Sequence, residues 1–325
     1  MTQQRPSYDE LKNIYVKDKS KKKALYDLFL YTLEDPSKFS YNDEYIWYFK
    51  DKQSANLNMP QDVEEQYNAG AGGELKDRTD KYGNVLPPKM LSVASSSRFC
   101  YLLFNNCTPN FDIFEERTLT NKIVFEKQLK ILDSDMATPP HMDAYYDGTG
   151  CELFFECKCH EFFDSHKVKL SKAYGEKLGC YFKDILDACE PVDDDWTDNK
   201  GVTHKRKAYL LPPKELERLF GVKQRGLRFD IKQLLTHLMG IVEERKRTQN
   251  AKQAKLVYVY NIPKKAQQCS DFTRTIDQLF VHAEKIFSAL VIKNFAENNN
   301  IQLGMYVYEG DRVQPMNENN LTKVL

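Results

Sequence analysis

Pro139–Phe163, PPHMDAYYDGTGCELFFECKCHEFF, is the stretch that decides the fold of this chain. It reads as two short strands, roughly His141–Tyr146 and Leu153–His160, joined by a turn at Asp147-Gly148-Thr149-Gly150. Strand alternation puts Leu153, Phe155, Cys157 and Cys159 on one face and Phe154, Glu156, Lys158 and His160 on the other. Glu156 and Lys158 therefore point the same way, roughly 6.5 Å apart along the strand. A closed hairpin brings Asp143 alongside, so that two carboxylates and a lysine converge beside an apolar layer.

The segments on either side extend this hairpin. Upstream, Lys122–Leu132 (KIVFEKQLKIL) alternates as a strand, with Val124, Glu126, Gln128 and Lys130 on one face, which predicts a three-stranded antiparallel meander. Ser95-Ser96-Ser97 ahead of RFCYLLFNNC is an N-cap signal opening a buried helix. Downstream, Lys167–Phe182 is expected to be helical from Ser171, Glu190–Arg206 to be an exposed loop with Asp193-Asp194-Asp195 as a solvated turn, and Leu216–Phe220 to be a short helical turn. Asp230–Arg245 is the clearest amphipathic helix, its stripe being Ile231, Leu234, Leu235, Leu238, Met239 and Val242. Leu256–Ile262, apolar on both faces, predicts a buried strand. A long helix over Thr273–Asn298 and a last strand, Gln302–Tyr308, follow. Strands alternating with helices predict an α/β fold, a mixed central sheet flanked by helices.

Residues 1–85 differ from the rest and are expected to form a mainly helical, aromatic-rich extension, with residues 86–325 as the main domain. Lys17, Lys19, Lys21, Lys22 and Lys23 lead into ALYDLFLYTLED, which has helical periodicity and stops before Pro36. Tyr41, Tyr45, Ile46, Trp47, Tyr48 and Phe49 are expected to pack this segment onto the main domain. Gly70, Gly72, Gly73 and Pro87-Pro88 mark the linker.

At 325 residues, with 29% charged and 41% hydrophobic side chains, the chain can bury a full-sized core. Lys+Arg and Asp+Glu both number 47, so bulk charge selects neither a nucleic-acid nor a membrane partner, and any basic surface must come from local clusters. Three such clusters lie at Lys205 to Lys207, at Lys223, Arg225 and Arg228, and at Arg245 to Arg247. No apolar run approaches the ~18 residues of a membrane span and the N-terminus lacks a signal-peptide core, so a cytoplasmic location away from membranes is expected. The eight cysteines are scattered and are expected to be reduced. Cys157, Cys159 and His160, near Cys151, do not suit zinc, because the two sulfurs and the imidazole point to opposite faces and no second Cys pair is spaced to join them. His160 and His166 are expected to be scaffold residues.

Hard divalent cations take oxygen ligands, and Mg²⁺ is typically held by one or two carboxylates with water and substrate phosphate completing its shell. Asp143 and Glu156 fit that requirement, and the backbone carbonyl of Cys157 lies between the two strand side chains. Lys158 beside the metal-bound water can orient or deprotonate a nucleophile and offset transition-state charge. Such a grouping suits metal-assisted phosphodiester hydrolysis.

Asp143 in PPHMDAYY, followed by Glu156-Cys157-Lys158 in ELFFECKC, resembles the motif of the PD-(D/E)XK nuclease superfamily, the restriction-endonuclease-like fold. The resemblance covers about residues 91–265 and is similar in layout to the bacterial members. It implies a helix, a three-stranded meander, a second helix and a further strand. It also implies Mg²⁺-dependent cleavage of DNA (Mn²⁺ substituting), with Asp143 and Glu156 as metal ligands and Lys158 as the catalytic lysine. Glu126 resembles an acidic residue that many members carry ahead of the meander, and Gln233 in DIKQLLTHL resembles a polar residue on a later helix. Cutting both strands of a duplex favours two active sites and hence a homodimer. The competing expectation is a non-catalytic nucleic-acid-binding or assembly protein on the same scaffold.

Overall fold

The computed structural model describes residues 48–70, 73–79, 83, 85–105, 122–131, 139–197, 202–262, 270–308 and 321–325. The lysine run at 17–23, the helix expected over 24–35 and the aromatic residues from Tyr41 to Trp47 lie outside these. The elements used below are helices α1 (Gln61–Ala69) and α2 (Ser96–Phe104), strands β1 (Val124–Gln128), β2 (His141–Asp147), β3 (Cys151–Lys158) and β4 (Lys169–Ser171), and helices α3 (Gly175–Tyr181) and α4 (Lys183–Ala188). They continue with β5 (Glu190–Asp193), β6 (Lys207–Leu210), α5 (Pro213–Phe220), α6 (Ile231–Thr248), β7 (Gln253–Asn261), α7 (Ser270–Ser288), α8 (Leu290–Asn298), β8 (Ile301–Tyr308) and β9 (Leu321–Lys323).

The fold is mixed α/β, built on a six-stranded sheet in the order β9-β8-β7-β3-β2-β1. β1, β2 and β3 form the expected antiparallel meander, with the Asp147–Gly150 turn closed by the Gly148 N–H on the Cys151 carbonyl at 2.9 Å. β7 lies parallel to β3 and β8 parallel to β7, while the three-residue β9 returns antiparallel on the edge. β3 and β7 occupy the middle of the sheet and are buried on both faces, which is why both read as apolar runs rather than as clean alternation.

Helices cover both faces. On one, α2 packs Phe104 against Phe155 at 4.5 Å between ring centroids and Phe99 against Tyr308 at 5.6 Å. Ser95 caps this helix as expected, its hydroxyl accepting from the Arg98 N–H at 3.1 Å. On the other face lie α6, capped by Asp230 accepting from the Gln233 N–H at 3.0 Å, and α7, whose Phe287 meets Phe229 and Tyr258. The expected α6 stripe is buried, and so are Thr236, His237, Gly240 and Ile241, because α6 is buried nearly all round through its middle turns. Residues 48–70, on the N-terminal side of the boundary expected near residue 85, contribute Phe49, Ala55, Leu57, Val63 and Tyr67 to the same core. Tyr67 stacks on Phe125 of β1 at 5.4 Å, and Arg98 bonds the Ala55 carbonyl.

Four expectations are corrected. Lys169–Ser171 is a strand, not the approach to a helix, and pairs in a second, three-stranded sheet ordered β4-β6-β5. Glu190–Arg206 is not a plain loop, since Glu190–Asp193 is a strand of that sheet and Trp196–Thr197 pairs with Thr203–His204 in a small ribbon. The long helix after β7 is two, broken at Ala289, whose extended backbone (ψ 131°) leaves the α region. The strand ending at Tyr308 is followed by one more, β9. In the three strand cases short segments gain order from pairing partners elsewhere in the chain, which local periodicity does not carry.

Candidate functional site

The meander's register lays three carboxylates in one row. β1 pairs with β2 as Phe125↔Ala144 and Lys127↔Met142, which sets Glu126 across from Asp143. β2 pairs with β3 as Ala144↔Phe155, which sets Asp143 across from Glu156. Directly opposed side chains in a sheet have Cβ atoms about 5 Å apart, and like charges there repel.

The ladder opens at this row. β2 and β3 stop pairing at Ala144↔Phe155, and the Cys157 N–H donates to Oδ2 of Asp143 at 2.7 Å. Since the N–H and C=O of an extended residue lie on the same side of the strand, the Cys157 carbonyl also faces the Asp143 side. On the other strand pair, Glu126 breaks the ladder with a left-handed backbone, φ 51°. The register is the same on both sides of Glu126, so the kink is a local reorientation and not an inserted residue.

Around Glu156 the groups are tightly connected. Lys158 Nζ donates to Glu156 Oε1 at 2.6 Å, and Gln233 Nε2 donates to the same oxygen at 2.7 Å. His237, one turn along α6 from Gln233, sets Nε2 3.7 Å from Oε2. Glu156 retains 4% of its surface and His237 1%. Burial, together with the charges of Glu156 and Glu126, holds the Asp143 carboxyl well above the ordinary carboxylate range, and burial also raises Glu156 against the pull of Lys158. Glu126 is pushed up to about 8, first by burial and then by Glu74 and Glu156, with Lys89 opposing.

Lys158 is a cation here. Burial alone would depress its ammonium, but Glu156, Glu161 and Asp143 together raise it above the ordinary lysine value. The expectation that it can deprotonate a nucleophile therefore gives way to an electrostatic and orienting role. His237 goes the other way: burial and the nearby Lys158 push it down to about 3, so its imidazole is neutral.

Of the residues singled out from sequence, Asp143, Glu156, Lys158 and Gln233 converge, and Glu126 joins their row and lines the same cleft. Glu161 and His237 were missed. Glu161 Oε2 accepts the N–H groups of Cys159 at 2.8 Å and His160 at 2.9 Å, and despite burial its carboxyl is held down to about 2 by Lys158, by His160 and by the N–H groups of Glu161 itself and His160. For His237 the i, i+4 spacing from Gln233 was a readable signal. For Glu161 none was, because it follows the strand in a short 3₁₀ turn. Cys157 and Cys159 are buried on the α2 face as expected. His160 bonds the Ala94 carbonyl and His166 the Glu161 carbonyl, both at 3.1 Å, as scaffold residues do.

The site opens into a cleft of about 1440 Å³, walled also by β4, the start of β6 with the residues just before it, and the first two turns of α6. No protein-family model, curated protein or solved structure matches the chain. Among the described residues, no group of three or more His, Cys, Asp and Glu side chains is arranged to hold a metal ion. A Mg²⁺ site needs only one or two carboxylates, and the half-buried Asp143 and the buried Glu156, which repel one another, fit that demand by charge and by donor type. Also among the described residues, no helix is long and apolar enough to cross a membrane.

Proposed function

We propose that this chain is a metal-dependent nuclease that hydrolyses phosphodiester bonds in DNA, of the kind its Asp143 and Glu156-Cys157-Lys158 motif resembles. The observation that carries the reading is the row Glu126, Asp143, Glu156 at the point where the meander's ladder opens, with a half-buried cation, Lys158, beside it. A row of like charges in a partly buried sheet is destabilising unless protons or a cation neutralise it.

Asp143, Glu156 and the Cys157 carbonyl are the groups that would hold Mg²⁺. Bound there, the ion would supply Lewis acidity toward a phosphoryl oxygen and acidify a coordinated water. Asp143 is oriented by the Cys157 N–H, and Glu156 by Gln233 and Lys158. That bonding leaves Asp143 Oδ1 and Glu156 Oε2 unused by those donors. Lys158, permanently charged, lies where it can stabilise negative charge gathering on a phosphorane-like transition state. His237 closes the floor of the site with a neutral ring, adding no competing positive charge.

The test is cleavage of supercoiled plasmid and circular single-stranded DNA by purified protein in Mg²⁺ or Mn²⁺. Asp143→Asn, Glu156→Gln and Lys158→Ala are each expected to lower the rate by 100-fold or more, on the order of an oxyanion-stabilising group's contribution, and chelation by EDTA to abolish it. Because Lys158→Ala strands Glu156 without its ion-pair partner, Lys158→Met and circular dichroism of each variant separate lost chemistry from lost fold. Equal nicking by wild type and folded variants overturns the assignment.

A further inference from the structure

The cleft carries more cations than it leaves available. Lys169, Lys205 and Lys207 pair with Asp194, Asp195 and Asp193, so each of these three lysines already has a carboxylate partner. Lys177 is held by Glu243 at 2.6 Å and Lys158 by Glu156 at 2.6 Å. Two cleft lysines differ. Lys172, in the 3₁₀ turn after β4, and Lys232, in the first turn of α6, are exposed and have no carboxylate within ion-pair distance among the described residues.

Lys232 is also placed against the helix dipole, in a first turn that holds no acidic residue. Acidic side chains stabilise that position and cations weaken it, so the lysine does not serve helix stability. It stands next to Gln233, which holds Glu156, so a group gripped by Lys232 is close to the carboxylate row.

We propose that Lys172 and Lys232 bind the backbone phosphates of a nucleic acid on the approaches to the carboxylate row. This deepens the nuclease reading and rests on it. A phosphate reaching a paired lysine must displace or share a carboxylate that repels it. At Lys172 and Lys232 it displaces only condensed counterions, which is the main source of nucleic-acid affinity. A cleft of about 1440 Å³ admits several nucleotides, and the two lysines come from different elements, so the grip is on an extended backbone and not on one small anion.

The experiment is fluorescence-anisotropy titration of the full chain in EDTA with labelled duplex and single-stranded DNA across a KCl series. A parallel cleavage assay is run in Mg²⁺. The pair Lys172→Gln and Lys232→Gln is expected to flatten the slope of log Kobs against log[salt] by ~1.8 for duplex or ~1.4 for single strand, two contacts at ~0.9 or ~0.7 each. KM should rise with kcat unchanged. Lys205→Gln, which removes an already paired charge, should change the slope by less than half as much. The unflattened member of the duplex and single-strand pair is the form the cleft does not take. An unchanged slope in the double variant with both DNA forms, or Lys205→Gln matching its effect, overturns this proposal alone when the wild type binds and cuts. A wild type that binds neither form overturns the nuclease reading with it.

Discussion

At Glu126 the backbone turns left-handed in the middle of a strand, across from Asp143, with its carboxyl pushed up to about 8. A non-glycine residue held at positive φ is a local strain that the surrounding packing must overcome, and such positions concentrate at functional sites. Because the folded-state value lies above the ordinary 4.5, the native protein binds more protons than the unfolded chain between pH 4.5 and about 8, and stability falls as pH rises through that window. Glu126→Gln is expected to flatten this fall and to stabilise the metal-free protein at pH 8 by on the order of 3 kcal/mol, read from urea melts at pH 5 and pH 8 in EDTA. A variant curve parallel to the wild type would refute it. Glu161 has the opposite sign. Held down to about 2, it contributes stability fully present above its ordinary 4.5 and lost as pH falls toward 2. Glu161→Gln should therefore destabilise at pH 7 by roughly 2 to 3 kcal/mol, with the gap closing near pH 2 if the fold survives there. The same substitution replaces the charged acceptor of two backbone N–H groups with a neutral amide oxygen.

At the scale of elements, α6 is the piece that joins core to site. Its first two turns deliver Gln233 and His237 to Glu156, and its last turn delivers Arg245 to Glu152 at 3.4 Å and to the Asn299 carbonyl at 2.6 Å. Between them Gly240 lets the helix approach the chain leaving β1: a Cβ there would lie 2.7 Å from the Leu129 Cβ, an atom with no rotamer freedom to yield. Gly240→Ala should consequently destabilise by about 1 to 3 kcal/mol through overpacking, although in an exposed helix the same change is stabilising. Thermal melts distinguish the two signs. The stripe of α6, its Asp230 cap and the Ser95 cap of α2 were all legible, because each depends on spacing within one turn or a few. The approach at Gly240 was not, since it depends on which atom faces the glycine.

For the whole molecule, the order of the sheet predicts its hierarchy of stability. β3 and β7, paired on both sides and buried on both faces, should exchange their amide protons only with global unfolding, whereas β9 and the Trp196–Thr197 ribbon should exchange through local opening. Native-state hydrogen exchange read by mass spectrometry checks this, and rapid exchange in β3 would contradict it. The meander, the buried strand β7 and the α/β class followed from the hydrophobic pattern alone. The second sheet did not, because β4, β5 and β6 are too short and too polar to announce themselves, and of the three acidic residues expected as a solvated turn Asp193 and Asp195 pair with Lys207 and Lys205 of the basic run and Asp194 with Lys169 of β4.

What the sequence by itself determined is the alternation that sends Glu156 and Lys158 to one face of β3 and the cysteines to the other, and the hairpin that brings Asp143 beside them. These are properties of a two-residue period and a short turn, both local. Only the tertiary structure decided the rest: that Glu126, Asp143 and Glu156 share one row, that the ladder opens there, that Lys158 stays charged, and that Glu161 and His237 belong to the site. Register between strands, burial and the sum of neighbouring charges depend on how separate elements meet, such as Glu126 of β1 across from Asp143 of β2 and His237 of α6 against Glu156 of β3, and local periodicity does not carry them.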